Sequence, residues 1–201
     1  CLVITRFIFI FLAFISIGSV SGQINIQWES RVNGDGNYID KAIDLALDTD
    51  GNTYVTGTTF GLDGYDILTV KYDTDGTELW RATYGSLGID EAQALVLDGN
   101  DDIIVTGSVN VSGTDWDIVT IKYDGETGAE LWVEIYAGSA NFDFGKDITV
   151  DDADNVIVVG SEQTTPSNVD FIVLKYSSVG ALLWDYHLDA GLADEAKGVA
   201  V

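Results

Sequence analysis

Short apolar runs separated by clusters of Asp, Asn and Gly recur along the chain from about residue 42. In the first copy they are AIDLAL (42–47), NTYVTGT (52–58), YDILTVKY (65–72) and ELWRATY (78–84). They are rich in Val, Ile, Leu, Thr and aromatic residues, which predicts four short β-strands. No segment of the unit has helical period and length. Pro166 falls in a predicted loop. Two kinds of connector alternate. The short ones are DTDGN (48–52), DGNDD (98–102) and DDADN (151–155), and, before the fourth strand, DTDGT (73–77), DGETGA (124–129) and SSVGA (177–181). These read as tight hairpins, with Asp bonding its own backbone and Gly or Asn taking positive φ. The connectors between second and third strands are longer and share little sequence.

The unit repeats. Trp28, Trp80, Trp132 and Trp184 stand 52 residues apart. Gly57, Gly107 and Gly160 recur in register, as do Lys71, Lys122 and Lys175, and Leu79, Leu131 and Leu183. A strand-filled period near 50 residues predicts an all-β fold, a β-propeller of four-stranded antiparallel blades. The boundaries are an orphan outer strand in 23–39, blades at 40–89, 90–142 and 143–193, and the start of a fourth at 194–201. The orphan strand (24–32) aligns with the fourth strand and suits ring closure, which hides a sheet edge. Ala42, Ala46, Ala92 and Ala94 place the first strand nearest the axis. The tryptophan strand is then outermost, each indole wedged against the next blade.

With YVTG, IVTG and VVVG (54–57, 104–107, 157–160), the three Lys-Tyr pairs and ELW, ELW, LLW, the chain resembles the SBBP β-propeller repeat family. The likeness covers nearly everything after the N-terminal segment. It implies an extracellular or surface-exposed bacterial protein with the propeller as one module. A second resemblance is to quinoprotein propeller repeats, through YDTDGTELW (72–80) and YDGETGAELW (123–132). The vicinal cysteine pair of many quinone-dependent members has no counterpart here.

Residues 1–22 read as a secretory signal peptide: Arg6, then the apolar run 7–17, then small residues. The run is shorter than the ~18 residues of a spanning helix. Cleavage is expected near Ser21, Gly22 or Gln23. Export to the cell surface or medium follows. The lack of Met and the stop within a strand-like copy lead us to expect a piece of a longer protein. Cys1 is the only cysteine and lies in the leader, so neither disulfides nor thiol chemistry are expected beyond it.

The net charge of −24 gives a solvated acidic surface and no basic stripe for nucleic acid. Calcium is the sharper reading of the acids. Asp48, Asp50 and Asn52, and Asp151 and Asp154 with Asp152 and Asn155, resemble parts of an oxygen-ligand loop, but hairpin chemistry explains the same residues. No other cofactor is indicated. The pairs Asp66/Lys71, Asp117/Lys122 and Asp170/Lys175 lie five apart on one strand, so their members face opposite sides. The lysines are expected to meet Asp48, Asp98 and Asp151 as framework. His187 is the only histidine and makes no zinc site by itself. No G-x-S-x-G motif is present. The Asn110-Val111-Ser112 sequon decides nothing without a suitable host.

Two functions follow as expectations. One is a non-enzymatic binding or scaffold module of a larger surface protein, with a glycan or protein partner. The other is a propeller enzyme acting on extracellular polysaccharide, with catalytic residues mostly elsewhere. The variable connectors 58–65, 108–116 and 161–169 emerge at one end with 85–90, 137–143 and 189–194. Phe60, Tyr65, Trp116 and Phe142 lie there. They suit stacking on sugar rings, or else simply start strands and pack between blades.

Overall fold

The computed structural model describes residues 26–34, 38–61, 64–86, 88–111, 115–138, 142–165, 167–189, 191 and 193–201. Residues 1–22, read above as a signal peptide, and Pro166 lie outside them. Twelve strands form three antiparallel four-stranded sheets, each a simple meander, and no helix occurs among the described residues. Sheet 1 holds β1 (Lys41–Leu47), β2 (Thr53–Phe60), β3 (Tyr65–Tyr72) and β4 (Glu78–Tyr84). Sheet 2 holds β5 (Glu91–Leu97), β6 (Ile103–Val109), β7 (Asp117–Tyr123) and β8 (Glu130–Tyr136). Sheet 3 holds β9 (Asp143–Val150), β10 (Val156–Thr165), β11 (Asn168–Tyr176) and β12 (Leu182–Leu188).

The sheets stack face to face. The two inner strands of sheet 2 are almost wholly buried, because one face meets sheet 1 and the other meets sheet 3. Val105 and Ile121 join Tyr54, Ile67 and Trp80 in the first core. Ile104 and Ile118 point the other way, into a second core with Val158, Ile172 and Leu174. That is why β6 and β7 read as continuous apolar runs rather than alternating ones. The first strands adjoin one another, β1 against β5 and β5 against β9.

Each first strand carries a bulge, at Ile43, Gln93 and Lys146. The bulge pushes its backbone onto the recurrent glycine of the second strand. A Cβ on Gly57, Gly107 or Gly160 would stand 1.9, 2.1 and 2.0 Å from the carbonyl oxygens of Lys41, Glu91 and Phe144. The glycine of the YVTG block is therefore required by close backbone approach, not by a turn. A second bulge sits at Leu79, Leu131 and Leu183, where Lys pairs with Trp and the following Tyr pairs with Glu or Leu.

The predicted orphan strand is not a strand over its described part, 26–34, which has no ladder partner there. The segment 193–201 is likewise irregular, yet it lies on sheet 3 as β5 lies on sheet 1. Asp194 N–H donates to the Val169 carbonyl at 2.7 Å, as Asp90 does to Tyr65 and Asp143 to Trp116.

Candidate binding face and inter-sheet framework

The tryptophans act across sheet boundaries. Trp28, Trp80 and Trp132 press on Gly76, Gly128 and Gly180, each the positive-φ residue of the next third-to-fourth-strand turn. A Cβ at these glycines would fall 2.6 to 3.0 Å from the indole, so the socket needs glycine twice over. The indole N–H of Trp80 donates to Gly125 O, and that of Trp132 to Ser178 O, both at 3.2 Å. Trp28 also lies against Tyr72, ring centroids 5.7 Å apart. Trp184 is exposed on β12.

The lysines sit beside these sockets, at the short-turn end. Lys122 Nζ lies 2.6 Å from Asp98 and 3.1 Å from Asp102. Burial pulls its ammonium down, but the two carboxylates outweigh that and raise it. Lys175 meets Asp151 at 2.7 Å, and Lys71 meets Asp48 at 3.2 Å while donating to Gly125 O of the next sheet. The turn aspartates are occupied by their own hairpins. Asp48 accepts the N–H groups of Asp50 and Asn52, and Asn52 Nδ2 as well. Asp151 does the same with Ala153 and Asn155, and the Lys175 ammonium bonded to it holds its carboxyl well below the usual carboxylate range. Asp154, at φ 56°, accepts Gly99 N–H from the preceding sheet, and Asp101, at φ 60°, accepts the Thr49 hydroxyl. Non-glycine residues are rare at such φ. Here the carboxylate bridges neighbouring turns in return. Asp50 is exposed and lies apart from Asp151 and Asp154, on a different sheet.

The other end is stitched by an aspartate that the sequence reading passed over. Asp40, Asp90 and Asp143 each precede or open a first strand. Each accepts one N–H from the incoming connector (Gly34, Ser86, Gly138) and one from the second-strand end (Phe60, Asn110, Gln163). Their recurrence in IDK, IDE and FDF was the available signal.

The four aromatic candidates do not form one site. Phe60 and Tyr65 meet edge-on, centroids 5.0 Å apart, with Tyr38 4.1 Å from Phe60. Trp116 and Phe142 both flank Phe144, at 5.8 and 6.5 Å, and Lys146 Nζ lies 5.0 Å over the Phe144 ring. Tyr65 and Trp116 form parallel bridges with Ile89 and Phe142, so both also join sheets. Between sheets 1 and 2 a groove of about 270 Å³ stays open, lined by Lys41, Ile43, Thr58, Tyr65, Glu91 and Gln93.

Sheet 3 departs from the repeat with charge. Glu162 stands where β2 has Thr59 and β6 has Val109. It is buried, and His187 Nδ1 lies 2.7 Å from its Oε2, while His187 Nε2 lies 2.9 Å from Asp185. Asp185 and Glu162 together raise the imidazole. Asp143 is fully buried, and burial, with the Glu162 and Asp117 carboxylates, pushes its carboxyl up to about 6. Nearby, Asp170, Asp189 and Asp194 bring carboxylate oxygens within 4.8 Å of one another, a spacing a cation could bridge. Asp170 already accepts from Thr164 Oγ1 and Asn168 Nδ2, each at 2.7 Å.

No family model matches the chain, and no curated protein matches it. Among solved structures it is similar to a protein of unknown function from Bacteroides caccae, at TM-score 0.50 and 14% identity, over 80% of this chain and 49% of that one. It is also similar to a eukaryotic initiation factor, at TM-score 0.52 and 11% identity, over 80% of this chain and 35% of that one. The chain thus spans half or less of either structure's length. At such identities the likeness is one of fold.

Proposed function

We propose that the three sheets are blades of an extracellular β-propeller that serves as a binding and scaffold module of a larger surface protein. The observation that carries this is the socket occupied by Trp28. Trp28 takes up against sheet 1 the place that Trp80 takes against sheet 2 and Trp132 against sheet 3. The segment 26–34 therefore stands where the outer strand of a preceding blade belongs, and a ring that closes on itself supplies that strand. Ring closure, membership of the SBBP-type repeats and export through residues 1–22 are parts of the same reading. The partner, a glycan or a protein of the cell surface, meets the end that carries the long connectors, because a rigid scaffold displays its variable residues there.

The test is to exchange the residues between the second and third strands, 61–64, 110–115 and 166–167, for Gly/Ser of equal length, which leaves every strand intact, and to measure retention of the exported protein at the cell surface. Retention is lost if the reading holds. Retention that survives this exchange, yet fails when 48–52, 98–102 and 151–155 are altered, assigns the opposite end.

A further inference from the structure

The groove between sheets 1 and 2 has a counterpart position between sheets 2 and 3, and there the residues are different. Position by position, Trp116 stands for Tyr65, Phe144 for Glu91 and Lys146 for Gln93. The register is the same: Glu91 faces Ser108 and Phe144 faces Ser161 across their ladders. In the second joint a half-buried Phe144 lies beside Trp116, ring centroids 5.8 Å apart, with Lys146 Nζ 5.0 Å over its ring. The repeat therefore accommodates an aromatic side chain where the first joint has Glu91. In the first joint the carboxylate of Glu91, the amide of Gln93, the hydroxyl of Thr58 and the ammonium of Lys41 line about 270 Å³ together with the apolar Ile39, Ile43 and Ala92 and the ring of Tyr65.

We infer that this groove is a binding site for the end of a neutral glycan; the inference rests on the binding-module reading above. Lys41 and Glu91 bring opposite charges to the groove, so it suits a ligand without net charge. The chain's net charge of −24 further disfavours a polyanion. Sugar hydroxyls both donate and accept: they donate to Glu91, accept from Lys41, and do either with Gln93 and Thr58. The apolar C–H face of a pyranose rests on Tyr65 and Ile43. Tyr65 is already fixed edge-on by Phe60, so little ordering remains to oppose binding. The volume lies just under the ~300–1,000 Å³ of drug-sized pockets, which suits one or two sugar rings rather than a long chain.

Affinity electrophoresis through gels containing laminarin, dextran, mannan or xylan, with alginate as the anionic counterpart, tests this. Glu91→Phe places the aromatic residue of the second joint in the first, and its melting temperature is expected within about 3 °C of the parent, roughly a kcal/mol for a chain this size. At least one neutral glycan should retard the parent, with affinity lowered tenfold or more in Glu91→Phe. Lys41→Ala, at an exposed position, should lower it at least threefold. Retardation by alginate alone, or by a neutral glycan equally in all three proteins, overturns the groove while leaving the module reading in place. No retardation by any of the glycans overturns the ligand class, and the connector exchange then decides the module separately.

Discussion

Gly107 shows how the absence of one side chain directs a whole strand. The bulge at Gln93 lays the Glu91 carbonyl where a Cβ would stand, and backbone cannot swing aside as a side chain can. Gly107→Ala should cost about 3 kcal/mol, lowering the melting temperature by roughly 6–12 °C for a chain of this size; a change under about 2 °C would mean that the bulge relaxes freely. Asp143 gives a second prediction, on pH. Its folded pKa of about 6 exceeds the ordinary 3.8, so the folded state binds the proton more tightly. Its contribution to stability is full below about 4 and is lost as pH rises through 6. His187, also raised, adds stability that is full below its unfolded value and fades as pH rises through its folded one. Asp151, held low by Lys175, works in the opposite sense and loses its contribution in strong acid. Urea titrations should therefore show stability falling between pH 4 and pH 6, with a shallower fall in Asp143→Asn. An unchanged slope in that variant would assign the dependence to other carboxylates.

Among the elements, the fourth strands divide by what their tryptophans reach. Trp80 is 8% exposed and held by Gly125, Gly128 and Tyr54, whereas Trp132 is half-buried. Trp80→Ala should cost about 3–5 kcal/mol, and Trp132→Ala less. Trp80→Phe keeps much of the apolar contact and forfeits the indole N–H bond, worth about 1 kcal/mol. Denaturant unfolding measures all three, and equal losses for Trp80→Ala and Trp132→Ala would deny the difference in burial its role. The strands themselves were legible because punctuation and composition agree: Tyr65–Tyr72 and Glu78–Tyr84 match their sequence bounds residue for residue. The bulges were not, since nothing in AIDLAL marks Ile43 as unpaired. Of the four alanines read as crowding the first strands, Ala92 and Ala94 are buried between sheets, whereas Ala46 is half-buried and Ala42 exposed on the outermost sheet. Of the candidate face, Tyr65 was nameable as an aromatic at a loop edge. Lys41, Glu91 and Gln93 were not, because their convergence depends on the stacking of two sheets. Glu162 was hidden because a single acid in an acidic chain carries no signal until its burial is known.

At the scale of the molecule, the stack has two apolar flanks. Leu45 and Leu47 on β1, and Leu182, Leu183, Trp184, Tyr186 and Leu188 on β12, are all exposed. Residues 23–201 alone should associate through these faces, as large apolar patches do, and light scattering should show oligomers whose size grows with concentration. A monodisperse monomer with one cooperative transition would count strongly against open flanks. The sockets carry a further consequence. Each tryptophan and the glycine it needs lie 48 residues apart, Trp28 with Gly76, Trp80 with Gly128 and Trp132 with Gly180, while the pattern itself repeats every 52. Knob and hole are thus inherited together in any excised or duplicated period. Deleting one period of 52 would bring Trp28 to the turn of Gly128 at the same 48-residue spacing. Recombination between copies can then lengthen or shorten such a gene while every tryptophan keeps a glycine socket.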